Sequence, residues 1–391
     1  MRTQGLLKAL GVAVCATLLA GLVVSSSPAA EPIKIGVVLS LTGRGGFLGT
    51  AEIKAIKAGV HMVNREGGIY GRPLEVFFED DQSSPTTATV AATKLIREKN
   101  VCLLIGPSLV DSCMAVVPIC EREGVPMLPM APLTIPLKKW VFLVPLDDYY
   151  LSEKMVKFAT TALGVKKIAS LHDNTTYGRK GADGVRAHAP KHGLTIVVEE
   201  EFGPTDTNMI PQLSKIKAAN PEAIILFCTA GAAAVVAKNY QQLGMERIPV
   251  ITGGGVPNKE FPRLAGKVVE DGRWIPFACT DIYAEQLPKE HPFRRKLYDP
   301  VFNAIKELYG KDTEWDGFFR NGYDNIAIAV EALKIARSDD RSAIRDALER
   351  VKYEGFLGNF AYSPTDHQGT TGETFGPVMV KDGKYWPYEK K

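Results

Sequence analysis

A handful of residues in this chain have types and spacings that could do chemistry. Gly43-Arg44-Gly45-Gly46-Phe47-Leu48 follows an apolar run and begins like a dinucleotide-binding turn. Its last position is Leu48, where close helix packing needs Gly or Ala, so the loop departs from a nucleotide cradle. Asp80-Asp81 pairs two carboxylates, as acid/base catalysis would require, but such a pair also caps a loop. His188 and His192 stand four apart, a spacing that suits a metal on one helix face. Pro190 lies between them and no third ligand is evident, so they read as surface histidines. There is no G-x-S-x-G elbow and no Walker loop. Ser108 and Ser112 flank the start of a predicted helix, where free N–H groups attract a carboxylate and hydroxyls add donors. Either serine also suits a helix N-cap.

Cysteines give no catalytic or metal signature. Beyond Cys15 they are Cys102, Cys113, Cys120, Cys228 and Cys279. Cys113 and Cys120 are seven apart on one predicted helix, ~10.5 Å along its axis, too far for a bridge. Cys102 and Cys228 lie inside apolar runs and read as small buried hydrophobes. No metal or cofactor is expected.

The elements that must position these residues alternate strand and helix. Ile33 to Leu39 reads as a strand, and Ile53, Ile56, Val60 and Val63 recur at helical spacing until Gly67-Gly68 stops them. Strands follow at 74–78, 101–105 and 125–130, with helices at 88–99 and 112–123 between them. The rhythm restarts after Pro145: helices at 151–163, 181–192, 209–218 and 232–243, strands at 167–171, 195–200, 223–228 and 250–252. Two successive βαβ halves imply two parallel sheets, each covered by helices. A mixed segment follows Gly272, then helices at 292–309, 323–336 and 341–350, then a hairpin turning at Asp382-Gly383.

At the N-terminus, Arg2 and Lys8 precede a short apolar stretch and the small residues 25–30. That order reads as a cleaved secretory signal over 1–29. The formal charge of the chain is +3. Losing Arg2 and Lys8 leaves it near neutral, with no field to draw nucleic acid or anionic membrane. Roughly 360 remaining residues exceed the size at which one core usually divides, so two lobes are expected.

Several motifs, in order, resemble a known family. They are Ile35-Gly36-Val37-Val38-Leu39-Ser40-Leu41-Thr42-Gly43, then Asn64-Arg65-Glu66-Gly67-Gly68-Ile69-Tyr70-Gly71-Arg72-Pro73-Leu74, and Asp80-Asp81. Ile105-Gly106-Pro107-Ser108, Glu123-Gly124-Val125-Pro126, His172-Asp173, Tyr177-Gly178 and Gly322-Tyr323-Asp324 follow. Together they are similar to the branched-chain amino-acid (Leu/Ile/Val)-binding family of periplasmic binding proteins for ABC transporters. The resemblance implies an α/β type I binding-protein fold, with two lobes, three hinge crossovers and the solute between the lobes. It implies a first lobe over 30–145 and 278–358 and a second over 146–277 and 359–391. It further implies a monomeric, non-enzymatic periplasmic carrier that docks on a membrane permease. A sensor of the same fold, reporting to a regulator, is the alternative.

In open α/β sheets, ligands sit outside the carboxyl ends of the strands. The loops there are 41–49, 106–112, 131–133, 174–177, 228–231 and 253–255. Carried over by resemblance, the serine that holds the solute's carboxylate falls at Val110, between Ser108 and Ser112. A backbone segment falls at Ala131-Pro132-Leu133, and an aromatic is retained as Tyr177. A second aromatic is lost near Thr229 or Ala230. The acid for the solute's ammonium falls at 252–255, around Gly254, where there is no acid. A buried ammonium without an acid is costly. These departures point to a carboxylate without an α-amino group, aromatic or branched aliphatic, rather than an amino acid. Leu48, Val110, Ala131, Pro132 and Phe318 are its expected apolar walls. Asp111 is a replacement acid or a helix cap, and Arg320 is an anion partner or half of a surface or hinge salt bridge, the latter being the reading taken.

Overall fold

A computed structural model describes residues 31–370 and 372–389. The secretory signal expected over 1–29, with Cys15, lies outside the described residues. The first sheet is built from β1 (Ile33–Leu39), α1 (Gly46–Arg65), β2 (Leu74–Asp80), α2 (Pro85–Arg97), β3 (Leu103–Ile105), α3 (Val110–Glu123) and β4 (Met127–Leu128). Its strands are parallel in the order β2-β1-β3-β4. The residues explain the punctuation. Ser84 caps α2 by accepting the Thr87 N–H, with Pro85 at the first helical position. Gly124 ends α3 at φ 63°, a left-handed turn that favours glycine.

The second sheet begins after α4 (Asp148–Phe158). It runs through β5 (Lys167–Asp173), α5 (Thr176–His188), β6 (Thr195–Phe202), α6 (Ile210–Ala218), β7 (Ala223–Phe227), α7 (Ala230–Gln242), β8 (Val250–Thr252), α8 (Glu260–Ala265) and β9 (Trp274–Ala278). The chain then returns to the first lobe with α9 (Asp299–Tyr309), α10 (Phe319–Ala336) and α11 (Arg341–Leu348). Both α9 and α10 pack on α1. The hairpin β10 (Lys352–Glu354) and β11 (Asn359–Ala361) follows, and then β12 (Gly376–Lys381) and β13 (Lys384–Pro387) close the chain. The second sheet has the order β13-β12-β9-β8-β7-β5-β6, with β12 and β13 antiparallel and the rest parallel. Its β6-β5-β7-β8 portion repeats the order of the first sheet, and β9 extends it by one parallel strand. The chain thus passes between lobes three times, and each lobe has its own apolar core.

Three readings of the sequence are corrected here. The mixed segment after Gly272 contains β9, a fully buried strand of the second sheet. The last crossing comes later than residue 358, because Phe360 and Tyr362 pack in the first core. The helix read from Tyr323 starts at Phe319, which places Arg320 and Asn321 in its first turn. The five described cysteines are buried and unpaired with one another.

Candidate functional site

Where the carboxyl ends of the two sheets face each other lies a cleft of about 800 Å³, counting the open solvent at its mouth. Most of its wall is apolar: Leu48, Leu109, Val110, Met130, Ala131 and Pro132 from the first lobe side, with Leu146, Leu151, Phe318, Leu357 and Phe375. Of the residues expected from the sequence, Leu48, Ser108, Val110, Ala131, Pro132, Tyr177, Thr229, Gly254 and Phe318 line it. Ser112 and Ala230 do not. Ser112 is fully buried one position beyond the cleft-facing start of α3, and Ala230 packs into the second core as the first residue of α7.

The first-lobe side presents donors. Helix α3 starts at Val110, and its N-cap, Leu109, has no side chain to accept from the first turn. Those N–H groups open toward the cleft and favour an anion. Arg320 is 2% exposed and lines the same space. Its Nη1 lies 3.6 Å from Asp281, which also accepts the Trp315 indole N–H at 2.9 Å. Burial pushes the Asp281 carboxyl up to about 6, while Arg320 beside it pulls the other way. Among the described residues, Arg320 Nε makes no hydrogen bond, and Nη1 meets Asp281 at ion-pair rather than hydrogen-bond distance. Thus Arg320 is half of a buried ion pair, as well as a cleft residue with donors to spare. Asp111 does not serve as a free acid, because Arg44 holds it at 2.8 Å at the cleft mouth.

The second-lobe side presents an acid that sequence reasoning missed. Asp148, the first residue of α4, is 4% exposed and lines the cleft. Among the described residues, nothing hydrogen-bonds its carboxylate. Its neighbour Asp147 is occupied instead, capping α4 at Tyr149 N and accepting the Thr134 hydroxyl at 2.7 Å. Burial, and then Asp147, hold the Asp148 carboxyl well above the usual carboxylate range. Tyr177 stands beside it, and burial followed by the Asp148 charge pushes its phenol up. The Tyr177 oxygen accepts the Gly255 N–H at 2.9 Å, which leaves its proton to donate. Its ring packs against clusters of both lobes.

This rearranges the expected acid site. Two of the three glycines at 253–255 are there for steric reasons. A Cβ at Gly253 would lie 2.7 Å from Phe227, and one at Gly255 2.9 Å from the Tyr177 oxygen. The buried acid that does line the cleft, Asp148, lies in the first crossover, just beyond Pro145. The only sequence signal was Asp147-Asp148 at that boundary, where one acid serves as cap and the next is released into the cleft.

The competing chemical readings dissolve into structure. Asp80 caps the 41–42 loop by accepting the Leu41 and Thr42 N–H groups. His188 is not a surface residue. It is 4% exposed and packs edge-on against Tyr149, with ring centroids 4.4 Å apart. Residues 43–45 form a short 3-10 turn that leads Leu48 to the cleft.

Known proteins place this architecture. A family model described as periplasmic binding protein matches residues 32–384. A Leu/Ile/Val-binding protein homolog from Brucella melitensis is 25% identical over 92% of this chain and 94% of its own length. A leucine-, isoleucine-, valine-, threonine- and alanine-binding protein from Pseudomonas aeruginosa is 25% identical over 86% of this chain and 87% of its own. The crystal structure of an extracellular ligand-binding receptor from Rhodopseudomonas palustris superposes with a TM-score of 0.83 at 27% identity, over 92% of this chain and 99% of that one. The two-lobed fold and the family model agree along nearly the whole described chain, and the protein belongs to the periplasmic binding protein family, whose members bind solutes rather than transform them.

Proposed function

We propose that this chain is the periplasmic solute-binding component of an ABC uptake transporter, closing its lobes on a small carboxylate and presenting it to a membrane permease. What carries this reading is the polarity of the cleft. Unaccepted donors at the start of α3 and on Arg320 suit a carboxylate on the first-lobe side. The apolar walls suit an aliphatic or aromatic body.

Asp148 favours one of the two forms of solute. A buried acid without a partner is stabilised by an ammonium that ionises it, whereas a deaminated acid would have to meet it in its neutral form. An amino acid with an apolar side chain is therefore favoured over the deaminated acid that the glycines at 253–255 pointed to. The relatives named for leucine, isoleucine and valine support the same choice. The test is calorimetric titration of ligand-stripped protein with L-leucine, 4-methylpentanoate and benzoate. L-leucine should bind tightest. Tight binding of either deaminated acid with no response to any amino acid would restore the earlier reading.

A further inference from the structure

Behind Ser108, on the side away from the cleft, lies a chain of buried polar groups that solute holding does not use. Ser108 Oγ donates to Glu52 Oε2 at 2.5 Å and accepts the Ser40 N–H at 3.1 Å. The Ser40 hydroxyl in turn donates to Asp81 at 2.7 Å. Ser40, Glu52 and Asp81 are all fully buried, and among the described residues Glu52 Oε1 and Asp81 Oδ2 have no hydrogen-bond partner. Glu52 sits within α1, and its backbone is pressed against Gly322 of α10 with no room for a Cβ between them. Its carboxyl therefore stays where it is, facing Ser108.

A serine hydroxyl has one proton to give. While Glu52 is ionised, that proton is held by Glu52, and Ser108 offers the cleft only a lone pair. A solute carboxylate would then meet another acceptor. When Glu52 is protonated, the direction of the bond can reverse. Glu52 donates to Ser108 Oγ, and the Ser108 proton is released to an acceptor in the cleft.

We propose that Glu52 is a positioning residue that sets which way the Ser108 hydroxyl points, toward the solute carboxylate when Glu52 carries a proton and away from it when Glu52 is ionised. The inference rests on the carboxylate-binding reading above. The proton count closes simply: a carboxylate that binds at alkaline pH draws one proton from solvent onto Glu52, and none leaves the solute. The surroundings fit. The titratable groups facing Glu52 are Asp81 beyond Ser40, Asp316, and the Cys113 thiol, with Asn321 of α10 adding an amide. None of these is a cation. Burial, opposed by the Ser108 hydrogen bond, pushes the Glu52 carboxyl up to about 8. The switch therefore lies just above neutral pH.

Asp148 faces the same cleft, and its ionisation would also weaken a deaminated carboxylate as pH rises. The test is therefore made in an Asp148→Asn background, in the full chain, with 4-methylpentanoate and benzoate as probes at pH values well below and well above 8. With Glu52 present, affinity should fall about tenfold across that interval, the effect of losing one hydrogen bond to a charged group. Adding Glu52→Gln, whose amide donates to Ser108 at every pH, should hold affinity at its low-pH value throughout. Adding Ser108→Ala should hold it at the weak value throughout. An equal pH step with and without Glu52→Gln overturns the inference alone. A cleft that binds neither probe, and a native protein that does not bind L-leucine, overturn the carboxylate reading and this inference with it.

Discussion

On the first-lobe face of the cleft the free polar atoms are donors: the uncapped start of α3 and the guanidinium of Arg320. On the second-lobe face they are the Asp148 carboxyl and the Tyr177 hydroxyl. The two faces also differ in support. Arg320 is tied to Asp281, and Ser108 to Glu52 and Ser40, so the first face is braced by buried partners. Among the described residues Asp148 has no such brace, and Asp147 next to it in the chain repels its charge. A braced donor surface can hold an anion while the lobes are apart. An unbraced acid gains its stabilisation only when the solute's other end arrives, so it rewards closure. The division of polarity between lobes turns one solute with two unlike ends into a tie between them.

Removing the brace should have the largest effect. Arg320→Leu leaves Asp281 buried with no cation, at a cost of about 3–5 kcal/mol in urea unfolding at neutral pH. The loss should shrink as pH falls, beginning above the native Asp281 value of about 6, because without Arg320 burial raises that carboxyl further until a proton replaces the missing charge. The folded fraction should bind no L-leucine. Native stability with native affinity would remove Arg320 from the anion face.

Asp148→Asn tests the other face and should cost less. It removes a charge partner of the ammonium without leaving a buried ion, so L-leucine should weaken by roughly 10- to 100-fold. The deaminated 4-methylpentanoate should hold or improve. The pH dependence has a definite sign. Burial raises the Asp148 carboxyl in the empty cleft and an ammonium lowers it, so native L-leucine affinity should rise with pH until Asp148 is ionised without help. Titration in buffers of unlike ionisation enthalpy should show a proton released on binding. Loss of both ligands alike in Asp148→Asn would break the contrast between the faces.

The sequence carried the scaffold further than the pocket. Alternating apolar runs and helical spacings located β1 through β8 and the restart after Pro145, because each is a local pattern. Leu48 was legible because cleft loops follow strand ends in this topology, and Val110, Ala131 and Pro132 because the family resemblance carried its site onto them. Asp148 was not, since nothing local separates it from Asp147. Only the third dimension shows that Asp147 turns to Tyr149 and Thr134 while Asp148 faces the cleft. The Glu52–Ser108 bond joins residues 56 positions apart, and no periodicity announces it. In the same way, β9 was hidden because Pro276 interrupts the short apolar run Trp274–Ala278, which is an interior strand of the second sheet.

Steric pressure on the second face gives a paired test. Gly255→Ala would place a Cβ 2.9 Å from the Tyr177 oxygen and 3.0 Å from the Cys228 carbonyl, whereas Gly254→Ala meets nothing nearer than 3.4 Å from Phe375. The first should cost about 1–3 kcal/mol and weaken L-leucine by displacing Tyr177, and the second should fold normally. Equal behaviour of the two would mean that Tyr177 is not held by its contact with this loop.

Tyr177→Phe should give the smallest change, and its size ranks the polar groups of the second face. The ring stays, with its edge contact to Phe227 at 6.0 Å and its packing on both lobes. What goes is the acceptor for the Gly255 N–H and one donor beside Asp148. A single neutral hydrogen bond contributes about 0.5–1.5 kcal/mol, so L-leucine affinity should fall about two- to tenfold. Because the ring bridges the lobes, its packing holds the cleft shape and the hydroxyl adds only local polarity. A loss on the order of a hundredfold, equal to that of Asp148→Asn, would move the second anchor from the carboxylate to the phenol. The faces would then differ in bracing but no longer in charge.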